Sequence, residues 1–251
     1  MIVSLATATY GAGRLAFIPG RLNTINTGGE STGPLFRRRL FEWLSGSSSD
    51  DNIEVAVLDI SEGVDSVDRG IFQAPMLSVD RISPDSLTEP ALLSRYGCLV
   101  IEGAGNHNIS PLSRSSIISF ASSGKGVLYL GFSTEKTVTA VPSGYTIGVS
   151  SINFEVVGRT KWTDAGLSSD IYSESVSDVS IPLVNLVYGH LISTNWSVLA
   201  YHDDSPYSSP GNKDGVDDLV YMQSSAYSFP GEYFIARFAS VYEKGVIDVE
   251  K

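Results

Sequence analysis

Two short apolar runs on either side of a capped helix restrict the possible folds of this chain more than any other feature. The runs are residues 98–101 and 127–130, each too short for a helix and without the alternation of a half-exposed strand. Between them, Ser110 and Pro111 are typical of an N-cap and a first helical turn. The segment therefore predicts a right-handed βαβ unit with two buried, parallel strands.

This unit also predicts where a binding site would lie. In an open α/β sheet, ligands bind at the carboxyl ends of the strands. Both runs lead into polar segments, and a third apolar run over residues 53–60 has Asp59 at its end. Because three strand ends converge at one edge of the sheet, we expect a pocket there. Its expected members are Asp59, Glu102, Asn106, His107, Ser133 and Glu135.

Three of these residues are candidates for catalysis, although none is assigned a catalytic role. A buried Glu102 carboxylate could act as a general base, but we favour a structural role in bonding the amides of the following loop. Asp59 has the same two interpretations. Ser133 could be a nucleophile with His107 as its base. The turn Gly131-Phe-Ser-Thr-Glu135 lacks the second glycine of a nucleophile elbow, which favours a capping serine instead.

Neither a resident metal nor a cofactor is expected. The three histidines are too widely separated in sequence for a zinc pair. The acidic segment 202–218 offers oxygen ligands that suit calcium, but Pro210 stands where an EF-hand has its first ligand. We interpret this segment as a solvated acidic turn, with calcium as the alternative. The candidate ligands are Asp203, Asp204, Asp214, Asp217 and Asp218.

Composition limits the partners of the chain. Its 251 residues, 42% of them hydrophobic, are enough for one large domain or for a domain with an appended β subdomain. The formal net charge of -11 argues against nucleic acid and anionic membranes as partners. The basic cluster from Arg37 to Arg39 is interpreted as a solvated or ion-pairing helix face, with a phosphate or acidic-partner site as the alternative.

Membrane and thiol chemistry are not expected either. No run reaches the roughly 18 apolar residues of a membrane span, and the N-terminus lacks the basic region of a signal peptide. The sequence thus predicts a soluble chain and leaves its compartment open. The single cysteine, Cys98, lies within an apolar run, so we interpret it as a small buried hydrophobe rather than a nucleophile.

The pattern of the chain changes along its length. Residues 2–9 and 14–18 predict an antiparallel hairpin, and residues 35–44 predict a helix. The second half has short β-like runs separated by Gly, Pro, Ser and Asp, which would either extend the sheet edge or form a small β subdomain. We predict an α/β domain over residues 1–170 and a β-rich extension, packed on the same domain, over residues 171–251.

Two segments resemble one known group of domains. The first reads Tyr-Gly-Ala-Gly-Arg-Leu-Ala-Phe-Ile-Pro-Gly over residues 10–20, with Leu-Phe-Glu-Trp-Leu over residues 40–44. It is similar to the opening of class I glutamine amidotransferase-like domains, including the trehalose-utilisation-protein type and those attached to some metallopeptidases. Residues 96–131 resemble the central unit of that group, and residues 163–167 match it more weakly. Covering about residues 1–170, the resemblance implies a three-layer, flavodoxin-like α/β domain with a mostly parallel sheet.

The chain departs from this group at the catalytic positions. A glutamine amidotransferase has its nucleophilic cysteine on the turn after the strand that corresponds to residues 127–130. That turn has no cysteine here, and no His-x-Glu pair follows near the end of the domain. The resemblance therefore implies an architecture and brings no catalytic residue with it.

Two hypotheses of function remain. The first is a non-catalytic binding or assembly module that associates with protein partners or with itself. Its acidic, Ser- and Gly-rich composition is compatible with a component of a larger assembly such as a virion. The alternative is a hydrolase or sugar-modifying enzyme that uses Glu102, His107 and Ser133.

Overall fold

The computed structural model describes most of the first 202 residues and short segments beyond them. All structural statements below concern these described residues. The ranges are 2–18, 26–27, 32–59, 76–102, 109–130, 140–145, 147–150, 160–177, 179–180, 189–202, 232–234, 241–242 and 245–246.

The described secondary structure contains many short strands and few helices. The strands are β1 (Ile2–Tyr10), β2 (Gly13–Ile18), β3 (Asn26–Thr27), β4 (Ile53–Asp59), β5 (Leu77–Ile82), β6 (Cys98–Glu102), β7 (Gly126–Leu130), β8 (Ile147–Ser150), β9 (Thr160–Trp162), β10 (Val179–Ser180), β11 (Gly189–Ser193), β12 (Ser197–His202), β13 (Glu232–Phe234), β14 (Val241–Tyr242) and β15 (Gly245–Val246). The helices are α1 (Thr32–Ser45), α2 (Pro90–Leu93), α3 (Pro111–Ser122) and α4 (Asp164–Leu167), with 3₁₀ turns at Pro84–Thr88 and Glu174–Val176.

Eight strands form one mixed sheet, which makes the chain an α/β protein. Their order across the sheet is β5-β4-β6-β7-β2-β1-β12-β9. The first five strands are parallel to one another, and β1, β12 and β9 continue the sheet with antiparallel pairings. The remaining strands pair in three small sheets of two or three strands.

The N-terminal hairpin forms as the sequence predicts, and it lies in the interior of the sheet. β1 and β2 pair antiparallel from Ala6 opposite Phe17 to Tyr10 opposite Gly13. Gly11 in the turn has a φ of 59°, a left-handed conformation that glycine adopts without steric cost. β2 then pairs with β7 on its other side, so the hairpin joins the parallel and antiparallel parts of the sheet.

The predicted strand–helix–strand unit is also present. β6 and β7 are parallel neighbours, with Cys98 opposite Gly126 and Glu102 opposite Leu130. Between them, the hydroxyl of Ser110 caps α3 by accepting a hydrogen bond from the amide of Ser113 at 3.1 Å. The cap fixes the start of the helix at Pro111.

The two faces of the sheet are buried in two separate apolar clusters. Successive residues of a strand alternate between the faces, so Val100 belongs to one cluster and Ile101 to the other. Helix α1 covers the first face through Phe36, Leu40 and Leu44, which share one side of the helix at four-residue intervals. Helix α3 covers the second face and contributes Ile117, Phe120 and Ala121 to its cluster.

The sequence predicts a solvated or ion-pairing helix face for the basic cluster on α1, and the structure buries two of its three arginines, Arg37 and Arg38. Arg38 is only 6% exposed and donates hydrogen bonds to the carbonyl oxygens of Met76, Ser48, Ser49 and Asp51 at 2.8–3.0 Å. Its Nε also pairs with the carboxylate of Glu42 at 2.7 Å, which matches the ion-pairing part of that interpretation. Arg38 therefore binds the middle of α1 to the loop that follows the helix and to the residue before β5.

Arg39 has a similar role on the other side of the helix. It donates hydrogen bonds to the carbonyl oxygens of Asp170, Ile171 and Tyr172 at 2.7–2.9 Å. These oxygens belong to the segment between α4 and the second 3₁₀ turn. The guanidinium groups of Arg38 and Arg39 thus bind the protein's own backbone rather than a phosphate.

Part of the C-terminal half belongs to the main sheet. β12 pairs antiparallel with β1, and β9 pairs antiparallel with β12, so these two strands extend the sheet at its edge. β8, β11 and β13 form a separate three-stranded sheet. The boundary at residue 170 stays a prediction, because β12 lies beyond it in sequence and pairs with the first strand of the chain.

Candidate functional site

The ends of the parallel strands lie side by side at one edge of the sheet. Asp59 at the end of β4 is the register partner of Glu102 at the end of β6, and Glu102 is the partner of Leu130 at the end of β7. Leu130 is in turn opposite Ile18, the last residue of β2. Four consecutive strands therefore end in one row, with two acidic residues next to each other at one side of it.

The strand order places a topological switch point between these two acidic residues. From β4 the chain proceeds to β5 on one side, whereas from β6 it proceeds through α3 to β7 on the other side. In open α/β sheets, ligands bind in the crevice outside the strand ends at such a point. Asp59 and Glu102 are the terminal residues of the two strands that border it.

The positions of the two strands are fixed by complete burial of the residues before their ends. Val57 and Leu58 in β4 and Val100 and Ile101 in β6 have no exposed surface. Removing buried methyl or methylene groups at such positions leaves a cavity and costs about 1–5 kcal/mol. The backbone at Asp59 and Glu102 is therefore carried by a rigid part of the core.

The other members of the expected pocket lie outside the described residues. For Asp59 and Glu102 the description is of the backbone alone. Whether the pocket assembles as expected stays a prediction. The residues outside the described ranges are Asn106, His107, Ser133 and Glu135, together with the calcium candidates Asp203, Asp204, Asp214, Asp217 and Asp218.

The cysteine does not belong to this edge. Cys98 begins β6, and Glu102 ends it, so the two residues are at opposite ends of the strand. The thiol has no exposed surface, and its Sγ donates a weak hydrogen bond to the carbonyl oxygen of Phe41 at 3.7 Å. Burial raises the pKa of the Cys98 thiol far above its usual range. The interpretation of Cys98 as a buried hydrophobe is confirmed.

Two serine-capped turns meet beside β5 and α3. Ser83-Pro-Asp-Ser86 starts the 3₁₀ turn after β5, and Ser110-Pro-Leu-Ser113 starts α3, so both have the same Ser-Pro-x-Ser pattern. The hydroxyl of Ser113 donates to the carbonyl oxygen of Pro84 at 3.4 Å and links the two turns. Sequence reasoning identified the second cap and missed the first. The shared pattern was visible in the sequence.

Sequence reasoning also missed the burial of Arg37. Its side chain is 7% exposed, and burial lowers the pKa of its guanidinium from the ordinary value. The position of Arg37 four residues before Phe41 and seven before Leu44 places it on the sheet-facing side of α1. That spacing could have indicated from the sequence that Arg37 is buried. The three consecutive arginines were instead interpreted together as one face.

Among the described residues, no three His, Cys, Asp or Glu side chains are close enough to hold a metal ion. No described helix is both long enough and apolar enough to cross a membrane.

Comparison with known proteins yields only distant likenesses. No protein-family model matches the chain, and no curated protein matches its sequence. Among solved structures, IMPa metallopeptidase from Pseudomonas aeruginosa is similar to 54% of this chain at 16% identity and a TM-score of 0.39. The same enzyme in complex with an O-glycopeptide is similar to 56% of this chain at 12% identity and a TM-score of 0.35. The chain spans 15% and 17% of the lengths of these two structures, and no fold or function is inferred from them.

Proposed function

We propose that this chain is a non-catalytic binding or assembly module with an amidotransferase-like, flavodoxin-like fold. Its binding edge is the row of strand ends that contains Asp59 and Glu102. The partner is a protein, either another chain or a second copy of this one, as in a larger assembly such as a virion. The observation on which the proposal chiefly rests is the position of the only thiol, which is buried at the opposite end of β6 from that edge.

The strand order supports the flavodoxin-like assignment in a modified form. Flavodoxin-like sheets have the order 2-1-3-4-5, with the switch point between strands 1 and 3. The parallel strands here have the order β5-β4-β6-β7-β2, which is the same arrangement if β4 is taken as the first strand. The fifth position is then filled by the N-terminal strand β2. The clusters on the two faces, with α1 on one and α3 on the other, are consistent with three layers.

The position of Cys98 supports a non-catalytic role. In the resembling enzymes the nucleophile is a cysteine on the turn after the strand that corresponds to β7. A thiol nucleophile must ionise and be reached by its substrate, and Cys98 is fully buried with a raised pKa. Amidotransferase chemistry by the route of those enzymes is therefore not proposed for this chain.

The alternative function, a hydrolase or sugar-modifying enzyme, rests on the same edge. Two acidic residues in adjacent register at a switch point could serve as a general acid and a general base. Glu102 would then be essential for turnover. This alternative and the binding module make opposite predictions for conservative amide substitutions.

Glu102→Gln and Asp59→Asn separate the two functions. The matched control is Glu54→Gln, which changes the same residue type at the other end of β4. Wild type, these variants and the charge-reversing Asp59→Arg and Glu102→Arg are assayed for turnover of ester, amide and glycoside substrates, and for self-association by sedimentation velocity over a range of concentrations. The module predicts no turnover by any form, and association that weakens when Asp59 or Glu102 is changed to Arg. Turnover that is lost in Glu102→Gln and retained in Glu54→Gln would overturn it.

A further inference from the structure

Met76, the residue before β5, has a backbone conformation that few side chains adopt. Its φ is 61°, and within the described ranges it is the one non-glycine residue with a positive φ. In this left-handed region the Cβ of most L-residues crowds the following carbonyl oxygen, whereas glycine and asparagine adopt it readily. A residue under such strain keeps its conformation only where its surroundings hold it there. Because Met76 is 46% exposed, we look to its backbone contacts for that support.

The carbonyl oxygen of Met76 accepts hydrogen bonds from two separate parts of the chain. The amide of Ile53, at the start of β4, donates to it at 2.9 Å, and Nη1 of Arg38 donates to it at 2.8 Å. Arg38 is itself fixed, because it is 6% exposed and its Nη2 donates to three carbonyl oxygens of the loop 48–51 at 2.8–3.0 Å. The left-handed residue is therefore held between a core strand and a buried guanidinium.

These two bonds lie where β5 begins to pair with β4. The parallel register runs from Ile53 opposite Leu77 to Leu58 opposite Ile82. The bond from the Ile53 amide to Met76 thus comes one residue before the first pair. The conformation of Met76 consequently decides the direction in which the chain enters β5 and the register in which it meets β4.

Strand β5 is less buried than the strands beside it. It is the terminal strand of the eight-stranded sheet, its first four residues are half-buried, and Arg81 is exposed. By contrast, residues 55–58 of β4 and 98–101 of β6 have no exposed surface. Segments with few buried contacts open locally at a lower free energy than global unfolding requires. β5 therefore meets the physical conditions for opening while β4 and β6 stay folded.

We propose that Arg38 and Met76 form a latch that holds the edge strand β5 closed on β4. In the closed state, the two bonds to the Met76 carbonyl keep its backbone left-handed. When β5 opens, both bonds break and Met76 relaxes to a negative φ, so the strain favours opening and the bonds oppose it. Opening leaves N–H and C=O groups of β4, a strand that borders the switch point, without their partners in β5. This conformational device does not depend on the function proposed above.

Native-state hydrogen exchange of the full chain, followed by NMR, tests the proposal. We expect the protection factors of the β5 amides to be at least about 100-fold lower than those of β6 and β7, and to respond little to low concentrations of urea. Met76→Asn should raise the β5 protection factors about fivefold, because asparagine adopts the left-handed region at little cost. Met76→Val should lower them at least about fivefold, because a β-branched side chain is more strained there.

Met76→Ala is the matched control, because it shortens an exposed side chain and keeps the cost of the left-handed backbone. Its β5 protection factors should stay within about twofold of the wild-type values. Arg38→Met removes the guanidinium and should lower the β5 protection factors at least about tenfold. If Arg38→Met does not fold, the opposite effects of asparagine and valine at position 76 decide the matter alone.

Three results would overturn the proposal. The first is β5 protection equal to that of β6 and β7 with the same urea dependence, which would mean that the strand opens only with the whole sheet. The second is a shift in the same direction for Met76→Asn and Met76→Val, or no shift for either. The third is a folded Arg38→Met variant whose β5 protection is unchanged.

Discussion

Cys98 and Glu102 are the first and last residues of the same strand, β6, and therefore lie at its opposite ends. The thiol of Cys98 is fully buried beneath α1, where its Sγ contacts the carbonyl oxygen of Phe41. Glu102 ends the strand in the row that also holds Asp59. The only sulfur nucleophile of the chain is thus separated from the switch point by the length of the strand.

Cys98 should therefore be inert in the folded protein. We expect a thiol reagent such as DTNB to label native Cys98 at least about 100-fold more slowly than the urea-unfolded chain, because labelling requires a large opening of the core. The rate is followed at 412 nm over a range of urea concentrations. Cys98→Ala, which has no thiol, gives the background. Fast labelling without urea would contradict the burial of this residue.

Gly126 should tolerate no larger residue. A Cβ at this position would lie 2.6 Å from both the Cβ and the carbonyl oxygen of Leu44. Since α1 and β7 are packed directly against each other here, Gly126→Ala must displace the helix end, at an expected cost of about 3 kcal/mol in the free energy of unfolding. Urea unfolding measures the loss.

The control for this effect is Gly97→Ala, at the equivalent place before β6. There a Cβ would meet the Ser45 Cβ at 3.2 Å, a contact that a small movement of the side chain relieves. Gly97→Ala should cost clearly less than Gly126→Ala. Equal effects would show that close approach of Leu44 is not the reason for glycine at position 126.

The elements that the sequence predicts well are those specified by local pattern. The strands β6 and β7 and the cap at Ser110 follow from short apolar runs and a Ser-Pro pair, and the hairpin follows from its glycine turn. The pairing of β2 with β7 and that of β1 with β12 could not be predicted from the sequence. Each of these pairings joins residues more than 100 positions apart. Pairing at such distance depends on the whole sheet rather than on local sequence.

The same limit applies to the candidate site and to the arginines of α1. Asp59 and Glu102 could be placed at strand ends from the sequence, because an acidic residue follows each apolar run. Their adjacency depended on the order of β4 and β6 in the sheet. The burial of Arg38 depends on carbonyl oxygens from residues 48–51 and from Met76, which no helical pattern reveals. Charged residues are rarely buried without such partners, so the helical pattern alone favours a solvated or ion-pairing face.

Arg38 should contribute more to stability than Arg39. Arg38→Met removes hydrogen bonds to four carbonyl oxygens and the ion pair with Glu42, and all of these groups are in part-buried surroundings. We expect a loss of about 3 kcal/mol, since buried carbonyls would be left without donors. Arg39→Met removes bonds to three carbonyl oxygens on a more exposed side of the helix and should cost about 1 kcal/mol.

Thermal or urea unfolding of the two variants and of the wild type measures this difference. Arg38→Lys is the informative third variant, because it keeps the charge and cannot reach four oxygens in the planar geometry of a guanidinium. Its stability should lie near that of Arg38→Met. A Lys variant as stable as the wild type would mean that charge alone, through Glu42, accounts for the effect.

Tyr129 should make the protein sensitive to alkaline pH. Its ring is fully buried, its hydroxyl donates to the carbonyl oxygen of Ala140 at 3.1 Å, and burial raises the pKa of Tyr129 well above the ordinary value. In the unfolded chain a tyrosine ionises near pH 10, whereas in the folded protein Tyr129 stays neutral. The stabilising contribution of the neutral ring is thus complete below about pH 10, and it is lost as the pH rises further.

Urea unfolding between pH 9 and 11.5, in a Cys98→Ala background that removes the thiol titration, tests this expectation. The free energy of unfolding should fall above about pH 10 with a contribution from Tyr129 that approaches about 1.4 kcal/mol per pH unit. Tyr129→Phe should lower the free energy of unfolding at neutral pH by about 1 kcal/mol, because the hydrogen bond is lost. Above about pH 10, however, the free energy of unfolding of this variant should fall less steeply with pH than that of the parent, because the contribution of Tyr129 is absent. Parallel curves for the two proteins would show that Tyr129 ionises in the folded state as it does in the unfolded chain.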